Sequence, residues 1–246
     1  MTVGLRVFSE VERLDAAVVA ELAAFSTTDL ADAMHGLYVM RGRLRPVNGG
    51  AVAFAGPAVT VYCTPGDGLL VRKALEIVRP GDVLVINAGG VRERAVLGGN
   101  VGVELARRGV RGVVVDGAVR DAADFAALGL PVLARAVTPR SGSTPAGAGE
   151  VNVPVAVDGV VVFPGDAVIA DGDGVVVVPA PDAPGVLARL RQRKAKADPE
   201  AQKARAAQGT DGPIHGLAMV NEALMSRGGT VYRGPFRREQ AREERG

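Results

Sequence analysis

Between residues 83 and 137 the chain alternates buried strand and helix, and this pattern limits the fold more than any other feature. VLVINA (83–88), VRGVVVDG (110–117) and PVLARAV (131–137) are apolar runs of strand length. AVLGGNVGVELARRG (95–109) and RDAADFAALG (120–129) read as helices that end on glycine. Strand–helix–strand units of this length imply parallel pairing in a layered α/β region, with strands buried on both faces.

Around this block the signals change. Val11, Leu14, Val18 and Leu22 make the first 25 residues helix-like, and Ser26-Thr27-Thr28-Asp29 caps a second short helix, DLADAMHG, ending at Gly36. Gly56-Pro57 punctuates two strands, AVAFA and AVTVYC, and Gly66-Asp67-Gly68 leads into the amphipathic LLVRKALEIV. After a polar loop at 141–145, VPVAV, VVV, AVIA and VVVVP are separated by Asp-Gly and Pro-Gly turns, the signature of antiparallel hairpins. Asp171-Gly172-Asp173-Gly174 fits a type I′ turn better than a calcium loop, because valines stand at the ligand and turn-glycine positions that follow. The region from Asp182 to about Gly209 is helical, restarting at Asp198-Pro199. One domain is expected over residues 1–209, and residues 210–246 form an extension with one apolar helix, GLAMVNEALM, and a charged tail.

Composition narrows the function classes. Hydrophobic residues at 48% support a core, but aromatics at 4% with no Trp make it aliphatic and leave few stacking platforms for single-stranded nucleic acid. A net charge of +2 does not call for a polyanion. The basic stretch from Arg189 to Arg205 reads as a solvated face or a contact with an acidic neighbouring subunit rather than a nucleic-acid stripe. The single cysteine, Cys63, rules out an internal disulfide and reads as a core thiol, and two histidines exclude a His-rich metal cluster within one chain. No signal-peptide pattern or long apolar run is present, so a soluble, cytoplasmic protein without membrane partners is expected.

The chemistry concentrates at D-G-A-V-R-D (116–121), where a buried strand gives way to a helix and open parallel sheets place their ligand crevice. Arg120 suits bidentate capture of a carboxylate, while Asp121 is either a helix cap or one hard oxygen ligand for Mg²⁺. Gly98-Gly99-Asn100 opens the preceding helix, either as an anion site of backbone amides or as a close helix–strand contact. Asp29, Asp32 and His35 stand at three-residue spacing, as a cap with an exposed face or as a group converging on a site. No dinucleotide fingerprint, phosphate loop or Ser/His/Asp set is readable.

Taken in order, GPAVTV, PGDVLVINAGG, AVLGGN, ARRGVRGVVVDGAVRD, LGLPVLARAVTPR, VNVPV and PGDAVIADGDGVVVVP resemble the RraA-like family, over about Ser26 to Gly209. That family includes the divalent-metal-dependent aldolases of 4-hydroxy-4-methyl-2-oxoglutarate and 4-carboxy-4-hydroxy-2-oxoadipate. The resemblance implies an α/β fold with a layered β/β/α swivelling-domain-like core and flanking N- and C-terminal helices. It also implies homotrimers, or hexamers of two trimers, with active sites between subunits. Arg120 matches the arginine on the pyruvyl carboxylate and enolate oxygen, and Asp121 the aspartate holding Mg²⁺ or Mn²⁺. Gly98, Gly99, Asn100 and Val101 match the loop whose amides bind the substrate carboxylate. Asp32 falls where the family often has an acidic residue near the metal waters, and Glu200 matches a glutamate lent by a neighbouring subunit.

One position departs from the family aldolases, which carry an acidic residue twenty-one places before the arginine, where this chain has Gly99. The adjacent Asn100 cannot replace it as a base. The expected function is a metal-dependent carbon–carbon lyase on a short oxo-acid, working through a pyruvate enolate. Oxaloacetate decarboxylation needs no base for a hydroxyl, whereas retro-aldol cleavage of a 4-hydroxy-2-oxo acid does. The alternative is a non-catalytic regulator that binds a ribonuclease or another protein partner.

Overall fold

β-Branched side chains pack best on a pleated, buried surface, and the Val-rich runs of this chain form strands accordingly. The computed structural model describes residues 3–47, 49–50, 52–142, 147–195 and 217–231. It begins with β1 (Leu5–Val7), α1 (Ala16–Leu22), α2 (Thr27–Ala33), β2 (Arg45–Pro46), β3 (Phe54–Cys63) and α3 (Leu69–Ala74). The central block is β4 (Val83–Asn87), β5 (Ala95–Leu97), α4 (Gly99–Arg107), β6 (Gly112–Val119), α5 (Ala122–Ala127) and β7 (Val132–Val137). Then come β8 (Gly149–Val151), β9 (Val155–Val157), β10 (Val160–Val162), β11 (Ala167–Ala170), β12 (Val175–Val178) and α6 (Ala183–Ala195).

The main sheet runs β1-β8-β3-β4-β6-β7-β2, and β3, β4, β6 and β7 pair in parallel. Strand β3 belongs to two layers. Its first half, Phe54–Pro57, pairs antiparallel with β11, and its second half pairs with β4 and β8. Gly56-Pro57 therefore lies inside one ten-residue strand instead of dividing two, and turns it from one layer into the next. The glycine is required there, since a Cβ on Gly56 would stand 2.1 Å from the Gly81 carbonyl oxygen.

Three apolar clusters follow from the strand alternation. On one face of the parallel sheet, Leu84, Ile86, Val113 and Val115 pack with Val71 of α3, Leu105 of α4 and Phe125 of α5. On the other, Val83, Val85 and Val114 meet Val155, Val162, Val168 and Val177 from the hairpins. The outer face of β11 and β12 (Ile169, Val176, Val178) is covered by Leu22, Leu30, Val186 and Leu190. The expected β/β/α core is present, with α2 and α6 as flanking helices.

Several local expectations are corrected. Residues 5–7 are a strand parallel to β8, held by the Arg6–Glu150 ion pair at 2.7 Å. Residues 95–97 are strand β5 beside β6, so the helix begins only at Gly99. Residues 116–119 still belong to β6, which leaves Arg120 and Asp121 as the whole turn. Helix α3 stops at Ala74 and α2 at Ala33, so His35 lies beyond its helix with φ 58°. The β11–β12 hairpin forms, but only Gly174 of its turn has positive φ, which excludes type I′.

By internal contacts the chain divides into Met1–Lys194 and Ala195–Gly246. The expected boundary at 209/210, the restart at Asp198-Pro199, Glu200 and the charged tail lie outside the described residues. In the second unit α7 (Leu217–Ser226) matches the expected apolar helix. No helix of the described residues is long and apolar enough to cross a membrane.

The loop end of the β11–β12 hairpin is tied to α2 by Asp171, which accepts from the Thr27 amide at 2.8 Å and hydroxyl at 2.5 Å. Burial pushes the Asp171 carboxyl up, but donation from Thr27, Asp173 and Gly174 outweighs it and holds the group below its ordinary value. Its contribution is therefore complete above the ordinary carboxylate range and lost as pH falls through the lower, folded value. Urea unfolding of Asp171→Asn is expected to show lower stability at pH 7 and a shallower loss on acidification than the parent. Gly56→Ala should cost about 1–3 kcal/mol by the same assay.

Candidate active site

Strand β6 ends at Val119, and its next two residues carry the candidate chemistry. Arg120 donates its amide to the Leu97 carbonyl at 3.0 Å, which fixes the turn against β5. Asp121 then adopts φ 58°, ψ 45°, a left-handed conformation that costs a non-glycine residue roughly 1–2 kcal/mol. It stands at the N-cap position of α5 yet makes no side-chain cap bond. Its Oδ2 instead accepts from the Gly99 amide at 2.9 Å and lies 3.4 Å from Arg120 Nε. Capping thus does not account for this aspartate, and both side chains remain about 40% exposed (40% and 41%).

Glycines let the two helices meet here. A Cβ on Gly98 would lie 2.7 Å from Asp121 Oδ2 and 3.0 Å from Arg120 Cγ, and one on Gly102 would lie 2.7 Å from the Phe125 ring. The close contact expected of Gly98-Gly99-Asn100 is made with the Arg120–Asp121 turn and α5 rather than with a strand. Of the amides expected to bind an anion, Gly99's is taken by Asp121 and Val101's donates to the Gly98 carbonyl at 3.1 Å. Asn100's is left without a protein acceptor among the described residues.

Beside the pair lies a cleft of about 120 Å³ lined by Gly98, Val101, Arg120, Ser141 and Arg72. Arg72, on α3, is a second cation that the sequence reading did not select. A larger cavity, about 660 Å³, sits at the opposite end of the parallel strands, among Val19, Phe54, Pro80 and Val110. Its charged lining includes Arg13 and Asp82, which already engage each other through two 2.8 Å hydrogen bonds. Parallel sheets bind ligands at their carboxyl ends, which favours the smaller cleft.

The other expected residues separate. Asp32 pairs with Arg193 at 2.7 Å and does not line the cleft of its own chain. Asp29 takes a capping role with Ser26. Asp116, in the same motif as Arg120, accepts from Arg135 Nε and from the Asp158 amide (2.9 Å), and Asp158 is also 3.3 Å from Arg135. Donating this hydrogen bond to Asp116 raises the Arg135 pKa above its ordinary value, with Asp158 adding to the effect. Burial, with Asp67 adding, pushes the Cys63 thiol up to about 12, so it is a protonated core group.

The fit of a cation rests on Asp121. Among the described residues its Oδ1 has no protein donor, and no group of three His, Cys, Asp or Glu capable of holding a metal occurs. One available hard oxygen suits Mg²⁺ or Mn²⁺ with water completing the shell, rather than zinc in a cage of protein ligands.

The Aldolase/RraA model of the RraA-like family matches residues 27–177. A Halalkalibacterium halodurans protein named "Putative 4-hydroxy-4-methyl-2-oxoglutarate aldolase" is 37% identical over 185 residues, 75% of this chain and 86% of the relative. Among solved structures, the RNA-processing inhibitor RraA from Thermus thermophilis is 39% identical with a TM-score of 0.58, covering 63% of this chain and 93% of that one. A Streptomyces coelicolor member of the RNase ES inhibitor RraA family is 31% identical with a TM-score of 0.67, covering 76% and 97%. The family model over residues 27–177 and the 37% identity to the Halalkalibacterium halodurans relative place the chain in the RraA-like family.

Proposed function

We propose that this protein is a divalent-metal-dependent carbon–carbon lyase acting on a short oxo-acid through a pyruvate enolate. The observation that carries the reading is Asp121, held in a left-handed turn beside Arg120, making no cap bond and leaving one oxygen available. Relatives named as aldolases support a lyase.

Cleavage or decarboxylation of a 2-oxo acid accumulates negative charge on the C2 oxygen as the enolate forms. Arg120 is permanently protonated and stands at the cleft to meet that oxygen. The Asn100 amide at the N-terminus of α4 is available to donate to the substrate carboxylate, while the Gly99 amide holds Asp121. Asp121 would hold Mg²⁺ or Mn²⁺, which supplies Lewis-acid stabilisation of the enolate when bound. The family's oligomers, trimers or hexamers with sites between subunits, are part of the proposal, since Asp32 pairs with Arg193 and does not line the cleft of its own chain.

The test is pyruvate release from oxaloacetate with Mg²⁺, corrected for decarboxylation by free metal. Arg120→Ala and Asp121→Ala should each lower the rate by about 10²–10³-fold, and EDTA should abolish it. Gly98→Ala, whose Cβ would displace Asp121 and Arg120, should lose up to about 10²-fold while the fold persists. Equal rates in all variants would sink the lyase reading. A regulator, as the Thermus relative's name suggests, would instead retain partner binding through EDTA and Arg120→Ala.

A further inference from the structure

Asp124 occupies the space that a side chain at position 99 would fill. A Cβ built on Gly99 would stand 2.0 Å from Asp124 Oδ2, 3.0 Å from its Cγ and 3.2 Å from its Cβ. The missing side chain on α4 and the carboxylate on α5 are thus two sides of one contact. Asp124 stands on the first turn of α5, where its amide donates to the Asp121 carbonyl at 3.0 Å. Both carboxylates therefore rest against the N-terminal glycines of α4, Asp121 on Gly98 and Asp124 on Gly99. Asp124 is exposed, and its side chain has no hydrogen bond or ion pair among the described residues.

We infer that Asp124 is the proton acceptor for carbon–carbon cleavage in this chain, and this inference rests on the lyase reading above. Retro-aldol chemistry needs a base, and the other polar groups beside the pair do not serve. Arg120 and Arg72 are permanent cations, the Asn100 amide is not basic, and Asp121 has one oxygen engaged by Gly99 and the other assigned to the metal. Asp124 takes the proton of the C4 hydroxyl of a 4-hydroxy-2-oxo acid, directly or through one water. The O–H pair becomes the new carbonyl π bond, and the C3–C4 bond breaks. Its electrons form the C2–C3 double bond while the C2 carbonyl pair moves onto oxygen beside Arg120. The enolate then takes the proton from Asp124 at C3, giving pyruvate and restoring the carboxylate. β-Decarboxylation releases carbon dioxide from an ionised carboxylate and uses no such acceptor, so it separates the role of Asp124 from that of Arg120 and Asp121.

The experiment compares cleavage of 4-hydroxy-4-methyl-2-oxoglutarate with decarboxylation of oxaloacetate in the same Mg²⁺-loaded preparations. Calorimetric binding of oxalate, which resembles the enolate, gives a readout besides turnover. Asp124→Asn should lower cleavage by about 10²–10⁴-fold and leave decarboxylation and oxalate affinity within a few-fold. Gly99→Asp combined with Asp124→Ala returns a carboxylate from the opposite helix, and it should recover part of the lost cleavage. Undiminished cleavage in Asp124→Asn overturns the assignment. So does an equal loss of both activities, which marks Asp124 as structural, and so does a parent that decarboxylates without cleaving. A parent inert on both substrates overturns the lyase reading, and this inference with it.

Discussion

Strand β3 is the constraint on which the rest of the molecule depends. It hydrogen-bonds to β11 with its first four residues and to β4 and β8 with the remainder, so one backbone joins the hairpin layer to the parallel sheet. The close approach of Gly56 to the Gly81 carbonyl permits that change of layer. With β3 in place, the alternation of β4 and β6 sends Val83, Val85 and Val114 toward the hairpins and Leu84, Ile86, Val113 and Val115 toward the helices. The aliphatic composition suits this arrangement, since Val side chains fill both faces of a buried strand without polar atoms that would need partners.

The helix side then determines the site. Phe125 is fully buried beneath α5 and packs where Gly102 leaves room, which seats the first turn of α5 against the start of α4. Arg120, Asp121 and Asp124 are carried to the two glycines as a consequence. Electrostatics at this spot are economical. A helix N-terminus favours negative charge, so the carboxylates are tolerated there without a dedicated cationic cage. Asp116 is drawn off by Arg135 and Asp158 on the hairpin side, which leaves Arg120 at the cleft with Asp121 beside it.

Much of this was legible in the chain. The parallel block, the hairpins, the core role of Cys63 and the juxtaposition of Arg120 with Asp121 all followed from apolar runs, turn residues and neighbouring positions. Elements of three residues, such as β1 and β5, were read as helix because so few residues carry no period of their own; their pairing with β8 and β6 decides them. Asp124 was not legible, because its place is set by the seating of α5 on the Gly99 end of α4. Arg72 was not, because nothing local links α3 to the turn after β6.

The sequence by itself determined the layered α/β class, the family and the pair of residues at the end of β6, because each is encoded in a run, a spacing or a contiguous motif. Only the tertiary structure decided that Gly56-Pro57 lies within a strand, that Asp32 turns to Arg193 and Asp116 to Arg135, and that Asp124 fills the place of a Gly99 side chain. These contacts join residues from 19 to 161 positions apart. Their partners are selected by strand order and by helix seating, and neither is a property of any local window of the chain.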